Sequence, residues 1–167
     1  DPAQLQPFRS EKLYAYEAGF KSDLLDRKLR FNAAAFYYDY RDLQVFVFDT
    51  SGVLPVQRKL NAGNAELYGV EVELQARPSR NFNAFVNASL LHARYKDFTA
   101  LAAEDYSGNQ LVNAPDVAIS AGFSLTQPLP GDSALRLRVD GSLQSETFLT
   151  PDNLQTLADN VTEPREN

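Results

Sequence analysis

Glu71 and Glu73 stand two residues apart, the best-spaced pair for acid–base work in a sequence short of catalytic residue types. Positions i and i+2 of an extended chain share a face, and two facing carboxyl groups are the working parts of a glycosidase. That chemistry needs a cleft able to drive the two pKa values apart, and the sequence around them offers none. Arg77 on the same face, with Arg30, Arg136 and Arg138 on other stretches, reads instead as part of a water-facing network of ion pairs. His92 is the single histidine and there is no cysteine. A zinc site, a Ser–His triad and a thiolate nucleophile therefore lack their members. Segment 96–115 carries Asp97, Glu104, Asp105, Asn109 and Asn113, which invites a calcium reading, but the spacing departs from the Asp-x-Asp-x-Asp-Gly loop. Asn87-Ala-Ser89 and Asn160-Val-Thr162 match the glycosylation sequon, the first in mid-strand. No catalytic residue, metal site or cofactor is assigned, and an enzyme is not expected.

The 167 residues suit one domain. A net charge of −6 argues against a nucleic-acid surface, and 44% hydrophobic residues against a disordered chain. No run of 18 apolar residues offers a transmembrane helix. With no methionine and no leader ahead of Asp1, the sequence is expected to be an excised piece of a longer chain. Eleven Phe and eight Tyr, with no Trp, favour pleated surfaces. All nine prolines fall between the alternating stretches, where a residue that cannot donate to a ladder belongs.

Those stretches have a period of two. Val117, Ile119, Ala121, Phe123 and Leu125 alternate with small or hydroxylic residues; Leu135, Leu137, Val139 and Leu143 with Arg136, Arg138, Asp140 and Ser142. Tyr68, Val70, Val72, Leu74 and Ala76 oppose Gly69, Glu71, Glu73, Gln75 and Arg77. Three further stretches follow the rule, with parity blurring across Tyr38–Leu43, where a bulge is expected, and at Phe85. Asp140-Gly141 resembles a hairpin turn, but Leu143 keeps the parity of Leu135–Val139, so a continuous strand is expected. The reading is an all-β antiparallel meander of about six strands, at 13–22, 29–47, 64–77, 82–95, 116–127 and 134–148, with 149–167 a loop or disordered tail.

The connectors alternate short and long: 23–28, 78–81 and 128–133 against 49–63, 96–115 and everything after Phe148. A soluble sandwich has no reason to turn tightly at one end and wander at the other, whereas a transmembrane β-barrel has short periplasmic turns and extended outer loops. Tyr16, Tyr37 and Tyr68 towards the long loops, and Phe31, Phe82 and Phe123 towards the short turns, match two interfacial girdles. Six strands would leave two open edges, which lipid does not tolerate. The chain is therefore expected to be an incomplete segment of a larger barrel, about a quarter of one of the 22-stranded type.

Specific strings carry a resemblance. RFNAAAFYYDYRDLQVFVF (30–48), NAGNAELYGVEVELQARP (61–78), VNASLLHARYKDF (86–98) and GNQLVNAPDVAISAGFSLTQPL (108–129) resemble the C-terminal barrel of TonB-dependent outer-membrane receptors, over about residues 10–150. The NAG-x-A-x-x-YGVE-x-E stretch and the G-x-x-L-x-NAP junction, in that order, carry it. The resemblance implies a receptor in the outer membrane of a Gram-negative bacterium for active uptake of a scarce nutrient such as a ferric siderophore. Its partners would be outer-membrane lipid, its own N-terminal plug domain (absent here), and the TonB energy-transducing complex acting through that plug. Ligand contact is expected on loops, with Phe46, Phe48 and Arg58 at one long loop and Tyr95, Phe98 and Tyr106 at the next as candidates. A soluble all-β binding module and a segment of a porin-like passive barrel are the alternatives.

Overall fold

The computed structural model describes residues 9–49, 54, 56–61, 63–99 and 104–154, and of residues 47–49, 58 and 60 the backbone alone. Eight strands follow in chain order: β1 (Lys12–Leu24), β2 (Leu29–Arg41), β3 (Gln44–Asp49), β4 (Val56–Asn61), β5 (Asn64–Ser79), β6 (Phe82–Asp97), β7 (Val117–Pro128) and β8 (Ala134–Gln144). Six form one antiparallel sheet in the order β1-β2-β5-β6-β7-β8, while β3 and β4 pair as a separate hairpin. No described helix is long and apolar enough to cross a membrane.

Alternation fixes the register. Across the sheet Phe20, Ala33, Val72, Ala88, Ile119 and Leu143 stand in one row. A slip of one residue at any pairing would exchange that row for polar neighbours. The apolar parity is the exposed one. On β7, Ile119, Ala121, Phe123 and Leu125 are exposed while Ser120, Gly122, Ser124 and Thr126 between them are half-buried. A soluble sandwich would bury the first set, and no second sheet covers it among the described residues. The opposite, polar face is concave: Lys21 of β1 and Gln144 of β8 line one hollow with Glu71, Glu73, Asn87 and Ser120 between them, enclosing about 1010 Å³.

Three expectations need correction. The stretch 29–47 is not one strand, and Tyr38–Arg41 holds no bulge: β2 pairs regularly to Arg41, and the chain then breaks at Asp42, whose φ is 53°. Parity reverses there because Tyr40 packs inward against Ala65, Tyr95 and Phe98, while Asp39 and Arg41 take the outward parity of Ala35 and Tyr37. The 134–148 stretch ends at Gln144. Ser145 closes it, donating its N–H to the Val117 carbonyl (2.8 Å) while its hydroxyl accepts from the Val117 N–H (3.1 Å). The ladder shifts register instead on β5–β6, between Asn64 and Ala65 and between Ala76 and Ser79. Asp140-Gly141 lies within β8, with Gly141 opposite Ala121. Of the expected tail, 155–167 lies outside the described residues.

Candidate functional site

The buried side chains gather at the long-connector end, on the concave side. Ala65, Tyr95 and Phe98 are almost wholly enclosed, with Tyr40, Leu43, Val45, Tyr106 and Leu111 packed around them. Tyr95 meets Phe98 at 5.0 Å between ring centroids, and Phe98 meets Tyr106 edge-on at 5.3 Å. Backbone bonds tie the loop to the strand it leaves: Tyr95 N–H to Asn109 O (3.0 Å), Gly108 N–H to Tyr95 O (2.7 Å) and Leu111 N–H to Ala93 O (3.0 Å). Segment 109–116 thus continues the ladder of β6 beyond the last β7 pair, Leu90 with Val117.

The two sequence strings hold this end together. In GNQLVNAP, Gly108 takes a φ of 85° and Asn113 one of 56°, the left-handed corners that let the loop reverse. Gln110 is buried, and its amide donates to the Ala114 carbonyl. The Asn153 amide, turned to suit, pairs with both backbone groups of Gln110 at 3.0 and 2.7 Å. In NAGNAELYGVE, Asn61 donates to the carbonyls of Asp42 (2.7 Å) and Arg9 (3.1 Å), which anchors the β3–β4 hairpin. Asp97 accepts from the backbone N–H (2.6 Å) and the side-chain amide (2.8 Å) of Asn64, pinning the bulge. A Cβ on Gly69 would come within 2.4 Å of the Leu90 carbonyl and 2.8 Å of the Phe36 ring, so the glycine makes room for that phenyl. Phe85 lies likewise over Gly122, at 2.8 Å from where a Cβ would stand. These aromatic–glycine pairs escaped the sequence reading, although the parity break at Phe85 was their trace.

Glu71 and Glu73 face the hollow. Glu73 accepts from Asn32 and Gln75, both at 2.7 Å. Three of the arginines bond elsewhere: Arg30 binds Asp23 (2.8 Å), Arg138 binds Asp140 (2.6 Å) and Arg77 donates to Asn83 (3.1 Å). The expected network is therefore a set of local pairs. His92 stacks on Tyr68 at 4.6 Å, on the outward face. The acidic residues of the 96–115 loop are taken up in turns: Asp105 accepts from the Ser107 N–H (2.9 Å), and Glu104 from the Tyr106 hydroxyl. The Ser107 contacts hold the Asp105 carboxyl below its usual range. The bond to Glu104, then burial, pushes the Tyr106 phenol up to about 12.

The ligand candidates separate by exposure. Phe46 is 59% exposed at the hairpin, with the Lys59 ammonium 5.8 Å over its ring. Tyr106 is half-buried, and Tyr95 and Phe98 are buried. Phe48 lies opposite Gln57 on β3 and Arg58 opposite Val47 on β4, and the side chains of both lie outside the described residues.

The profile of the family described as TonB dependent receptor-like, beta-barrel, matches residues 2–160. The chain belongs to that family. TonB-dependent receptor barrels lie in the outer membrane of Gram-negative bacteria, and the family is one of receptors, not of enzymes. Two curated relatives are the pesticin receptors of Yersinia enterocolitica and Yersinia pestis, each 30% identical over 110 residues. The match covers 66% of this chain and 15% of each relative, so the chain spans a small part of their length. The crystal structure of the ferric yersiniabactin uptake receptor FyuA from Yersinia pestis superposes with a TM-score of 0.69 at 23% identity, over 90% of this chain and 21% of that one. The siderophore receptor PiuA from Acinetobacter baumannii gives 0.63 at 20% identity, over 86% and 20%. BauA, the ferric preacinetobactin receptor of the same species, gives 0.63 at 16%, over 87% and 21%. The six-stranded sheet is thus a wall segment of a TonB-dependent receptor barrel.

Proposed function

We propose that the protein carrying this segment is an outer-membrane receptor for active uptake of a ferric siderophore or a similar scarce nutrient. Energy would come from the TonB complex through the protein's own plug domain. The observation that carries the reading is the inverted burial of the sheet, apolar on its exposed convex side and polar on its concave side, which suits lipid outside and a polar lumen within. The relatives named above as siderophore receptors supply the substrate class. Long connectors then face the medium, and the ligand-facing surface is the vestibule between the β3–β4 hairpin and the 104–116 loop. Phe46 and Tyr106, with Phe48 and Arg58 on the same hairpin, are the proposed contacts, while Tyr95 and Phe98 form the wall that holds them.

The test uses the full-length protein in an iron-starved Gram-negative host, measuring uptake of radiolabelled ferric siderophores with and without TonB. Uptake that needs both the protein and TonB is expected. Equal uptake in their absence, or recovery of the full-length protein from a detergent-free soluble fraction, would end this reading. Phe46→Ala is expected to weaken ligand binding about tenfold, the loss of one aromatic contact of about 1–1.5 kcal/mol.

A further inference from the structure

The 104–116 loop is held from two sides. On one side β6 binds it through the backbone of Ala93 and Tyr95. On the other runs the segment that follows β8, residues 145–154. The Asn113 N–H donates to the Phe148 carbonyl (3.0 Å) and the Asn109 amide to the Pro151 carbonyl (2.9 Å). The Asn153 amide, turned to suit, accepts from the Gln110 N–H at 2.7 Å and donates to the Gln110 carbonyl at 3.0 Å. Gln110 is 8% exposed, and a buried backbone group without a partner is costly. A neighbouring strand would ordinarily supply both partners; here one side chain does. A primary amide offers a donor and an acceptor together, where a carboxylate offers acceptors alone. Asn also tolerates the left-handed backbone, φ 58°, in which residue 153 stands. The turn beneath it closes on itself: the Asn153 N–H donates to the Thr150 carbonyl (3.1 Å), and the Leu154 N–H to the Asp152 carboxylate (3.0 Å).

We propose that Asn153 is a positioning residue for ligand recognition: from the connector after β8 it sets the place of Tyr106 on the neighbouring loop. The inference rests on the reading of Tyr106 as a ligand contact. The link is short. Asn109, next to Gln110, accepts from the Tyr95 N–H on β6 and donates its own N–H to the Tyr106 carbonyl, both at 3.0 Å. A shift of residues 109–110 therefore carries Tyr106 with it. Asp152, beside Asn153, joins the Glu104 bond and burial in raising the Tyr106 phenol, which puts the strap and the ring within electrostatic reach of each other. A ligand seated on Tyr106 thus meets a surface that two connectors build together. Asn153 acts on it through Gln110 and Asn109.

The experiment takes the full-length protein in detergent micelles, its folded barrel verified by heat-dependent electrophoretic mobility. Binding of radio-iron complexes of a catecholate, a hydroxamate and a phenolate siderophore is measured for wild type, N153A and N153D, with amide exchange at Gln110 alongside. N153A is expected to bind about tenfold more weakly the complex that wild type binds, two bonds to a buried residue being lost, and to lose exchange protection at Gln110. N153D separates positioning from bulk. At about pH 7.5 its carboxylate cannot donate to the Gln110 carbonyl, and it should match N153A. The charged groups of the elements that meet here are Asp152 on the strap, Glu104 on the loop and, from β6, Arg94, which pairs with Gln110 and is held by Asp116. The facing carbonyl and the nearer carboxylates lift the new carboxyl above its ordinary value near 4, so protonation at about pH 5 restores an O–H donor. Binding by N153D, relative to wild type at the same pH, should then recover to within about threefold. Full affinity in N153A, unchanged exchange at Gln110, or an N153D-to-wild-type ratio that ignores pH would overturn the role. Should N153A lose the mobility shift, N153D compared across pH carries the test. A wild type that binds none of the three complexes would overturn the uptake reading and the role with it, while exchange at Gln110 still reports the clasp by itself.

Discussion

The spanning sheet and the loop assembly at its outer end solve opposite problems with the same residue types. In the sheet, Val70, Leu90, Ile119 and Leu137 are 39–57% exposed. On the membrane reading, about 30 Å of hydrocarbon does for them what a protein core does elsewhere. At the outer end, Ala65, Ala93, Tyr95 and Phe98 fall to 2% exposure or less, as in a water-soluble domain. The chain changes solvent along its strands, and its hydrophobic side chains change sides with it. Tyr37 and Tyr38 mark the crossing: the first stands in the outward girdle row, while the second turns inward, meets Phe36 at 5.1 Å and donates its hydroxyl to Glu17.

If the loop assembly has its own core, damage to that core should stay there. Phe98→Ala is expected to cost about 3–5 kcal/mol, expressed as lost hydrogen-exchange protection at Tyr106, Gly108 and Leu111, whose N–H groups bond back to β6 and its extension. The barrel's heat-dependent mobility should not move. Collapse of the whole barrel in this variant would show that the two regions share one core. The sheet should fail the reverse test. Ile119→Arg is expected to destabilise the full-length protein by about 2–4 kcal/mol in urea titrations from lipid vesicles, if Ile119 stands near the midplane. Ser120→Arg, its neighbour on the concave face, should cost under about 1 kcal/mol. Equal costs would remove the distinction between the faces.

The sheet was legible in the sequence because hydrocarbon on one side imposes strict alternation, and short turns repeat at one end. The outer end was not, because its folding obeys a different rule. Tyr38 and Tyr40 read as a blurred parity since the apolar side of β2 changes there: Tyr40 enters a core on the inner face while Asp39 and Arg41 stand on the outer one. The β3–β4 hairpin was hidden, β3 in the end of the expected 29–47 strand and β4 in the 49–63 connector, because its anchors are single polar side chains, Asn61 and Glu11, bonded across 19 to 52 residues of sequence. Tyr95 and Phe98 carried the signal of exposed loop aromatics but are the centre of that core. The family strings pointed to the right positions before their reason was visible. Gly69 and Gly108 are fixed by a phenyl ring and a left-handed turn that no periodicity reports.

The glycines sharpen the comparison at lower energy. Gly69→Ala drives a Cβ against the Leu90 carbonyl and the Phe36 ring, and overpacking of this kind costs about 1–3 kcal/mol. At Gly141 a Cβ would meet nothing within 4 Å, so Gly141→Ala should stay within about 0.5 kcal/mol of wild type. Urea titrations of the two variants in parallel check this, and a tolerant Gly69 would mean that Phe36 has somewhere else to go.

The smallest effect lies where the two regions join. The Arg94 guanidinium bonded to Asp116 holds that carboxyl below its usual range. A depressed carboxylate stabilises the fold above its unfolded pKa, near 4, and that contribution fades as pH falls through the lower, folded value. The Asp116 side chain is 41% exposed and that of Arg94 22%, so the solvent-screened worth is below about 1 kcal/mol. Tyr106 runs the other way. Its phenol is raised by Glu104, so its contribution is whole below about pH 10 and lost as pH climbs towards 12. Exchange rates at Leu91, whose N–H bonds the Asp116 carbonyl, and at Asn109, whose N–H bonds the Tyr106 carbonyl, separate the two once corrected for intrinsic rates. Leu91 should lose protection on the acid side in wild type but not in Asp116→Asn, and Asn109 on the alkaline side in wild type but not in Tyr106→Phe. A sheet amide such as Val72 should ignore both limits. Loss of protection at Val72 in step with either loop would mean that the outer assembly and the spanning wall open as one unit.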